Sequence, residues 1–322
     1  MRSNQPNMKP MISICIPAYK NAVYLDVLLR SISLQKYADF EVVVTDDSPT
    51  DEVKECCAQY KDRFHLIYQK NTPAKGSPAN WNAAIALANG DWVKIMHDDD
   101  WFATDDALDK YATAINLHPA ASFIFSAFND YENGVFKQTH RLSNTTIKRL
   151  VRSPLFLFKK NFIGNPSNVL LRKSRVPAYD EQLKWVVDFE FYIRCLQKVS
   201  IHYITDALIN VGYNQDQITK QVFRNRSVEI PENIYMLNKL GVGILKNVIV
   251  FDYYWRLFRN LNIRDISSVY THLQGNSFPQ PLEKMLEWQF HIPLKILKIG
   301  LLSKAFMSIA YFRFIISYRN HS

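Results

Sequence analysis

Trp92-Val93-Lys94-Ile95-Met96-His97-Asp98-Asp99-Asp100-Trp101 decides how this chain reads. A short apolar run stops abruptly at three consecutive carboxylates. Apolar runs of this length read as buried strands. Acidic side chains packed together repel one another and are cheap to keep only in water or around a cation. A hard divalent ion such as Mg²⁺ or Mn²⁺ takes carboxylate oxygens and commonly keeps substrate phosphates as its other ligands. Two readings therefore stand at this point. One is a metal–phosphate site at the edge of a sheet. The other is a solvated acidic turn that caps the following helix, since Asp and Thr are good N-caps.

The preceding segments weigh on that choice. Residues 11–17, 40–45 and 65–69 are apolar and β-branched enough for strands. Between them, 21–35, 51–60 and 79–88 carry helical patterning, and Asn89-Gly90 gives the last of these a normal stop. The βαβα order predicts a mostly parallel, Rossmann-like α/β sheet with helices on both faces. In such sheets ligands bind beyond the carboxyl ends of the strands. The first strand ends in Pro17-Ala18-Tyr19, the second in Asp46-Asp47-Ser48 and the fourth in His97 to Asp100. One ligand can touch all three ends, which favours the metal–phosphate reading. No Gly-x-Gly-x-x-Gly follows the first strand and no Walker-type Gly-Lys-Ser/Thr occurs, which disfavours a dinucleotide enzyme and a P-loop ATPase.

Size and charge set outer bounds. At 322 residues the chain can bury a full core. A formal charge of +9 favours an anionic partner, whether nucleic acid, a membrane surface or a phosphorylated substrate. Cys15, Cys56, Cys57 and Cys195 lack metal-ligand spacing, which fits a reducing, cytosolic compartment. The polar start has no apolar signal region. No apolar run reaches about 18 uninterrupted residues, so no membrane span is expected. Further along, 122–126 and 168–171 read as strands, and 148–160 and 185–197 as helices. Past Val228 the chain turns to long, basic, aromatic-rich helical segments. The expected division is 1–227 and 228–322.

Taken in order, these pieces resemble the family-2 glycosyltransferases over residues 11 to 220, from Ile12-Ser-Ile-Cys-Ile-Pro-Ala-Tyr19 through Val44 to Asp51, Asn71 to Gly76 and Asn80 to Asp91. His97-Asp98-Asp99 sits where that family carries an Asp-x-Asp metal motif, and Asp188 to Arg194 resembles the segment bearing its catalytic base. The resemblance implies a GT-A fold and inverting transfer of a sugar from a nucleotide-diphospho-sugar, a UDP-sugar above all. The acceptor would be a glycan or lipid-linked glycan, as in cell-surface polysaccharide or lipopolysaccharide synthesis. It implies Mn²⁺ or Mg²⁺ held by Asp99 and a general base at Asp188. Pro17, Tyr19, Asp46, Asp47, Asn80, Asn82 and Asp98 are the implied nucleotide-sugar contacts. Two positions depart from the family pattern: His97 replaces the first motif Asp, and Val187 precedes Asp188 where an acidic residue is common.

Several bland readings stand beside these. Asp46 and Asp47 suit an ordinary Asx turn, Asp188 suits a helix cap, and Asn80 and Asn82 suit a helix start. Glu190 and Arg194, four apart, read as a helix salt bridge. His65, His118 and His202 lack partners in the sequence pattern and read as structural. Gly212 to Thr219 resembles a loop that closes over the donor, with Lys220 and Arg224 as its cations. A sugar-phosphate nucleotidyltransferase would need a Gly-rich basic loop where Pro17 to Asn21 stands. A non-catalytic glycan-binding protein with a decayed site is opposed by intact Asp99 and Asp188. From Trp288 to Ser322 no residue is acidic, while Lys295, Lys298, Lys304, Arg313 and Arg319 are basic among many apolar residues. Such a helix fits an anionic membrane interface on the cytoplasmic face, or packs on the fold with a solvated basic side. Nucleic-acid binding explains the charge less well, because no recognised module appears.

Overall fold

The structure, a computed structural model, describes residues 10–213 and 223–319. Strand β1 (Ile12–Ala18) lies between β2 (Phe40–Asp46) and β4 (Trp92–Ile95), and β3 (Leu66–Lys70) extends the sheet past β2. All three pairings are parallel. Every residue of β2 is buried, its Val42–Val44 centre as an apolar run and Glu41 and Asp46 as buried carboxylates on either side. Helices α1 (Ala22–Ser33), α2 (Glu52–Ala58) and α3 (Ala79–Leu87) make the crossovers. Register brings Ala18, Asp46 and Lys70 side by side at the carboxyl edge.

Beyond β4 the sheet becomes mixed. Strand β8 (Val169–Arg172) runs antiparallel to β4, and β6 (Ala121–Glu132) antiparallel to β8. Strand β9 (Ser200–Tyr213) lies parallel to β6 and carries β5 (Trp101–Phe102) at the sheet's end. Strand β7 (Val135–His140) forms a hairpin with β6. Helices α4 (Ala107–Leu117), α5 (Asn144–Arg152) and α6 (Val187–Leu196) complete this part. This is the expected α/β architecture of the GT-A type. The helix expected over 148–160 is broken: α5 ends at Arg152 and a 3₁₀ turn covers Pro154–Lys159. Pro154 lacks the N–H that would continue the ladder. His118 and His202 do have partners, since their rings stack at 3.6 Å, and His65 lies 3.6 Å from Glu41. All four cysteines are buried free thiols.

The chain divides into two units, Met1–Arg152 with Phe162–Gln215, and Ser153–Asn161 with Asp216–Ser322. The second is helical: α7 (Arg226–Leu240), α8 (Val248–Asn260), α9 (Ser267–Tyr270), α10 (Gln280–Phe290), α11 (Leu294–Leu297) and α12 (Gly300–Arg319). Pro231 lies inside α7 and removes the bond that Ser227 O would accept; Gln274 Nε2 supplies it at 3.1 Å. Trp255 of α8 is buried, donating to Ser303 Oγ at 3.1 Å, while its carbonyl accepts from Gln289. Helix α12 is long and apolar enough to cross a membrane by length and composition: residues 300–317 have mean hydropathy 1.2 and 17% of them are buried. Lys304 and Arg313 interrupt that window, so the sequence shows no continuous run.

At the amino edge of the sheet a buried carboxylate ties three strands together. Glu41 of β2 accepts from Ser13 Oγ at 2.6 Å, from Asn89 N at 2.6 Å and from Asn89 Nδ2 at 3.1 Å. Burial alone would raise this carboxyl; the Ser13 and Asn89 donors overcome it and hold it below its usual value. Ser13 Oγ in turn accepts from Gly90 N at 2.8 Å. A Cβ on Gly90 would sit 2.6 Å from Ser13 Oγ and 2.7 Å from Ser13 N. The second atom is backbone in the central strand and cannot step aside. We therefore expect Gly90→Ala to destabilise the protein by about 1–3 kcal/mol, the usual scale for overpacking. Urea unfolding measures this, and a change under about 0.5 kcal/mol would show that the contact yields freely.

Candidate active site at the carboxyl edge of the sheet

The apolar run of β4 ends at Met96, whose N–H still bonds Cys15 O at 2.9 Å. The next four residues leave the sheet and are held by other donors. His97 N–H donates to Ser167 Oγ at 2.9 Å. Asp98 accepts from the backbone N–H of Tyr19, which joins the ends of β4 and β1. Asp100 is almost wholly buried, with Oδ1 accepting from Gly212 N at 3.0 Å and Oδ2 from Asn165 Nδ2 at 2.7 Å. Ser167 also bonds its side chain. The Asp100 carboxylate thus joins the end of β4 to the 163–168 turn and to β9. Gly212 must lie close for this: a Cβ there would be 2.3 Å from Asp99 O.

His97, Asp99 and Asp100 place one ligand atom each within 4.8 Å of one another. His97 Nε2 is buried and has no hydrogen-bond partner. Burial pushes the His97 imidazole down, against the pull of Asp99. Burial, then the Asp99 charge, pushes Asp98 up to about 7 and Asp100 well above the usual carboxylate range, although backbone and side-chain donors oppose both. A neutral imidazole with an idle lone pair, beside carboxylates that resist ionising together, is a donor set that fits a divalent cation. Sequence alone leaves His97 open as a metal ligand or a packing residue and does not single out Asp100, although the carboxylate run contains its signal.

Lys94 lies beneath this group. It is fully buried, donating to Ser167 O and to Tyr111 OH at 3.3 Å, with its ammonium 4.5 Å from the Tyr111 ring centroid. Burial pushes the ammonium well down, and Asp100 opposes that. Ser167 therefore serves three partners: its carbonyl takes Lys94, and its hydroxyl takes His97 N–H and bonds Asp100.

The expected nucleotide contacts divide into two sets. Asp46 is wholly buried, taking Ser48 N at 2.7 Å and Tyr68 OH at 2.7 Å, with Lys70 Nζ at 3.5 Å. Asp47 holds the 71–76 loop through Asn71 Nδ2, Lys75 N and Gly76 N. Asn80 bonds the carbonyls of Ala18 and Thr45 and accepts from Asn71. Asn82 exchanges bonds with the Tyr179 backbone and donates to Glu181. These four side chains tie strand ends and loops together. Tyr19 is instead 52% exposed, and Pro17 and Asp98 are half-buried. Next to this edge a cavity of about 510 Å³ is lined by Lys70, Asn71, Lys75, Ala79 and Glu181 among others. Asn71 Oδ1 is buried without a partner, a feature the sequence did not reveal.

Asp188 stands half-buried in the first turn of α6. Its charge is felt by Tyr179 and Tyr192. Tyr179 stacks on Phe191 at 4.0 Å and meets Trp81 edge-on at 5.1 Å, and Trp81 packs on His97 at 5.0 Å. An aromatic column thus runs from the helix of Asp188 to the histidine of the metal-ligand group. Glu190 is wholly buried and paired with Arg194 through contacts of 2.8 and 2.9 Å, the expected helix pair. The lid expected over 212–219, with Lys220, lies outside the described residues apart from Gly212 and Tyr213. Arg224 lines a cavity in the second unit.

A central parallel sheet with acidic groups gathered beyond its carboxyl edge defines a GT-A protein. The family model for glycosyl transferase family 2 matches residues 13–176, about half the chain, and the chain belongs to that family. An uncharacterized protein of Mycobacterium tuberculosis is 25% identical over 215 residues, 62% of this chain and 66% of that one. The abequosyltransferase RfbV of Salmonella typhimurium is 36% identical over 109 residues, 33% of this chain and 31% of RfbV. The chain thus spans less than two thirds of either relative. Among solved structures, S. aureus TarS 1–349 with UDP-GlcNAc has TM-score 0.63 and 20% identity, covering 97% of this chain and 92% of that one. The mannosyltransferase PcManGT of Pyrobaculum calidifontis, solved with GDP-Man and Mn²⁺, has TM-score 0.53 and 13% identity over 98% of this chain and 88% of its own. At these identities the two structures speak for the fold.

Asp100→Asn tests the junction. The amide offers one acceptor and one donor where Gly212 N–H and Asn165 Nδ2 both need acceptors, so one donor is left facing another. We expect a loss of about 1–3 kcal/mol, the cost of an unsatisfied buried group. Stability within about 0.5 kcal/mol of the parent in chemical denaturation would show that the turn and β9 are held elsewhere.

Proposed function

We propose that this protein is an inverting, divalent-metal-dependent glycosyltransferase, using a nucleotide-diphospho-sugar, a UDP-sugar above all, and a glycan or lipid-linked glycan acceptor. The catalytic domain expected at 1–227 corresponds in this reading to the first unit, Met1–Arg152 with Phe162–Gln215. The observation that carries it is His97 Nε2, buried and unpartnered beside Asp99 and Asp100 at the end of β4. Asp99 is the principal ligand for Mn²⁺ or Mg²⁺, with His97 and Asp100 beside it. A bound ion would supply Lewis-acid stabilisation of the diphosphate leaving group. The UDP-GlcNAc of TarS and the GDP-Man and Mn²⁺ of PcManGT, on the same fold, favour this donor class and this cofactor.

The chain's own groups account for the other requirements. Tyr19, exposed at the end of β1, stacks on the nucleobase, with Pro17 beside it and Asp98 near the ribose. Lys70 and Lys75 line the adjoining cavity and bring positive charge to that edge. Asp46, Asp47, Asn80 and Asn82 contribute by fixing the edges against which the nucleotide lies. Asp188 takes the proton of the acceptor hydroxyl as its oxygen bonds the anomeric carbon and the bond to the diphosphate breaks; one direct displacement inverts that centre. The aromatic column to His97 fixes the distance between base and leaving-group side. Glu190, locked by Arg194, is no substitute. Helix α12 leaves Leu301, Ile309, Phe312 and Ile316 more than half exposed among basic residues, which supports peripheral attachment at the cytoplasmic membrane face.

Two substitutions test the assignment. Asp99→Ala is expected to abolish Mn²⁺-dependent binding of UDP in calorimetry; unchanged affinity removes Asp99 from the metal. Asp188→Asn is expected to keep donor binding while lowering turnover about 10²–10⁴-fold, the scale of general-base loss. Near-normal turnover on a true acceptor would take the base role away from Asp188.

A further inference from the structure

The helical unit holds a second polar cavity, of about 230 Å³, lined by Arg224, Arg259, Asn260, Asn262 and Lys298. At about 30 Å³ per water this is room for roughly seven waters. Three of its five lining residues are cations, none is a carboxylate, and none is aromatic. The ring of Phe223 adjoins the lining and packs on the Arg224 guanidinium at 5.2 Å.

The surroundings do little to neutralise this charge. Asp252 is engaged by Arg256 at 3.0 Å. Glu229 accepts from the Arg224 backbone N–H and offsets part of that residue's charge. Burial, and then the neighbouring Arg256, lower the Arg259 guanidinium, with Asp252 opposing. The carboxyl end of α8 would ordinarily present free carbonyls, which repel anions. Here the backbone N–H groups of Leu261, Ile263 and Asn262 donate to the carbonyls of Leu257, Phe258 and Arg259, and Arg226 donates to the next two, Leu261 O at 2.9 Å and Asn262 O at 3.0 Å. Arg259 is fixed in place through Nη1 to Ser303 Oγ at 3.1 Å and through Nε and Nη2 to Asn260 Oδ1 at 3.1 and 3.0 Å, and these bonds use one N–H on each nitrogen, leaving a second N–H on each Nη.

We propose that the Arg224–Arg259–Lys298 cavity binds a phosphate monoester or diphosphate group. The fixed Arg259 guanidinium can offer its remaining N–H groups to phosphate oxygens, and Arg224 and the Lys298 ammonium add positive charge. The group would come either from the head of a phosphorylated lipid or from a soluble phosphate ester. The site is independent of the nucleotide reading: its residues belong to the second unit, and it stands or falls without Asp99.

The test uses the full chain in EDTA, so that no metal holds phosphate at the carboxylates. Calorimetry with inorganic pyrophosphate at low salt is expected to show binding that weakens about tenfold or more in Lys298→Glu and in Arg259→Gln. Lys298 is exposed, so its substitution leaves folding intact, and UDP affinity measured separately with Mn²⁺ stays at the parent value. Pyrophosphate affinity equal within twofold in parent and both variants, or no binding by the parent, overturns the site. Sedimentation with phosphatidylcholine vesicles containing phosphatidic acid then separates the sources. Retention abolished both by pyrophosphate and by Lys298→Glu assigns a lipid headgroup. Retention that neither changes, together with the calorimetric loss, assigns a soluble phosphate ester.

Discussion

The buried carboxylate of Asp100 is the constraint on which the acidic edge depends. Its oxygens take donors from Gly212 and Asn165, 112 and 65 residues away in sequence. Through them the end of β4, the 163–168 turn and the last turn of β9 become one rigid piece. Ser167 repeats the device from the other side, holding His97 and Lys94. A buried carboxyl without such donors would cost several kcal/mol, so the partners are a condition of its being there at all. Asp99 and His97 are then displayed on this frame, to which His97 itself is tied through Ser167.

A second set of polar ties works at the strand ends of the parallel half. Asn71 bonds Asp47 and Asn80, Asn80 reaches the carbonyls of β1 and β2, and Asp46 is held by Ser48, Tyr68 and Lys70. These are side chains with more acceptor and donor capacity than backbone alone offers, placed where the ladder of the sheet runs out. Their role explains how polar residues can be wholly or nearly buried beside an open cleft. It also sharpens the division of labour, since exposed Tyr19 and half-buried Asp98 are the groups left facing outward at that edge.

Much of this was legible in the sequence because the parallel half has clean periods. Strands β1, β2 and β4 are built around short apolar runs, and the Asn89-Gly90 stop marks the end of the helix between β3 and β4 to within two residues. Strand β9 escaped because only Leu208 to Val211 are buried along its length, so neither an apolar run nor an alternation stands out. Strand β5 is two residues long and exists only by pairing with β9. At the site, the Asp run announced a cation, and the family resemblance supplied Asp188. What sequence could not give was the sorting of the polar residues. Asp46 and Asp98 are both aspartates after an apolar strand; whether each is consumed by neighbours or left available depends on Tyr68 and Lys70 for the first and on Tyr19 N–H for the second. Those partners are set by register and crossover, not by spacing along the chain.

The electrostatics of the acidic edge make a further point about order of events. Burial raises Asp98 and Asp100, which disfavours their carboxylates without a cation, and lowers His97, which favours the neutral imidazole that a cation takes. Binding at Asp99 and Asp100 would therefore release a proton from Asp100, and affinity for the ion would rise with pH. The geometry itself need not wait for the ion. Asp100 is anchored by Gly212, Asn165 and Ser167, and His97 is packed on Trp81 with its backbone held by Ser167. The ligand atoms are brought within 4.8 Å by neutral donors and packing. The work left to the cation is to settle charge among groups already assembled, which is the condition for electrostatic preorganisation at a leaving group.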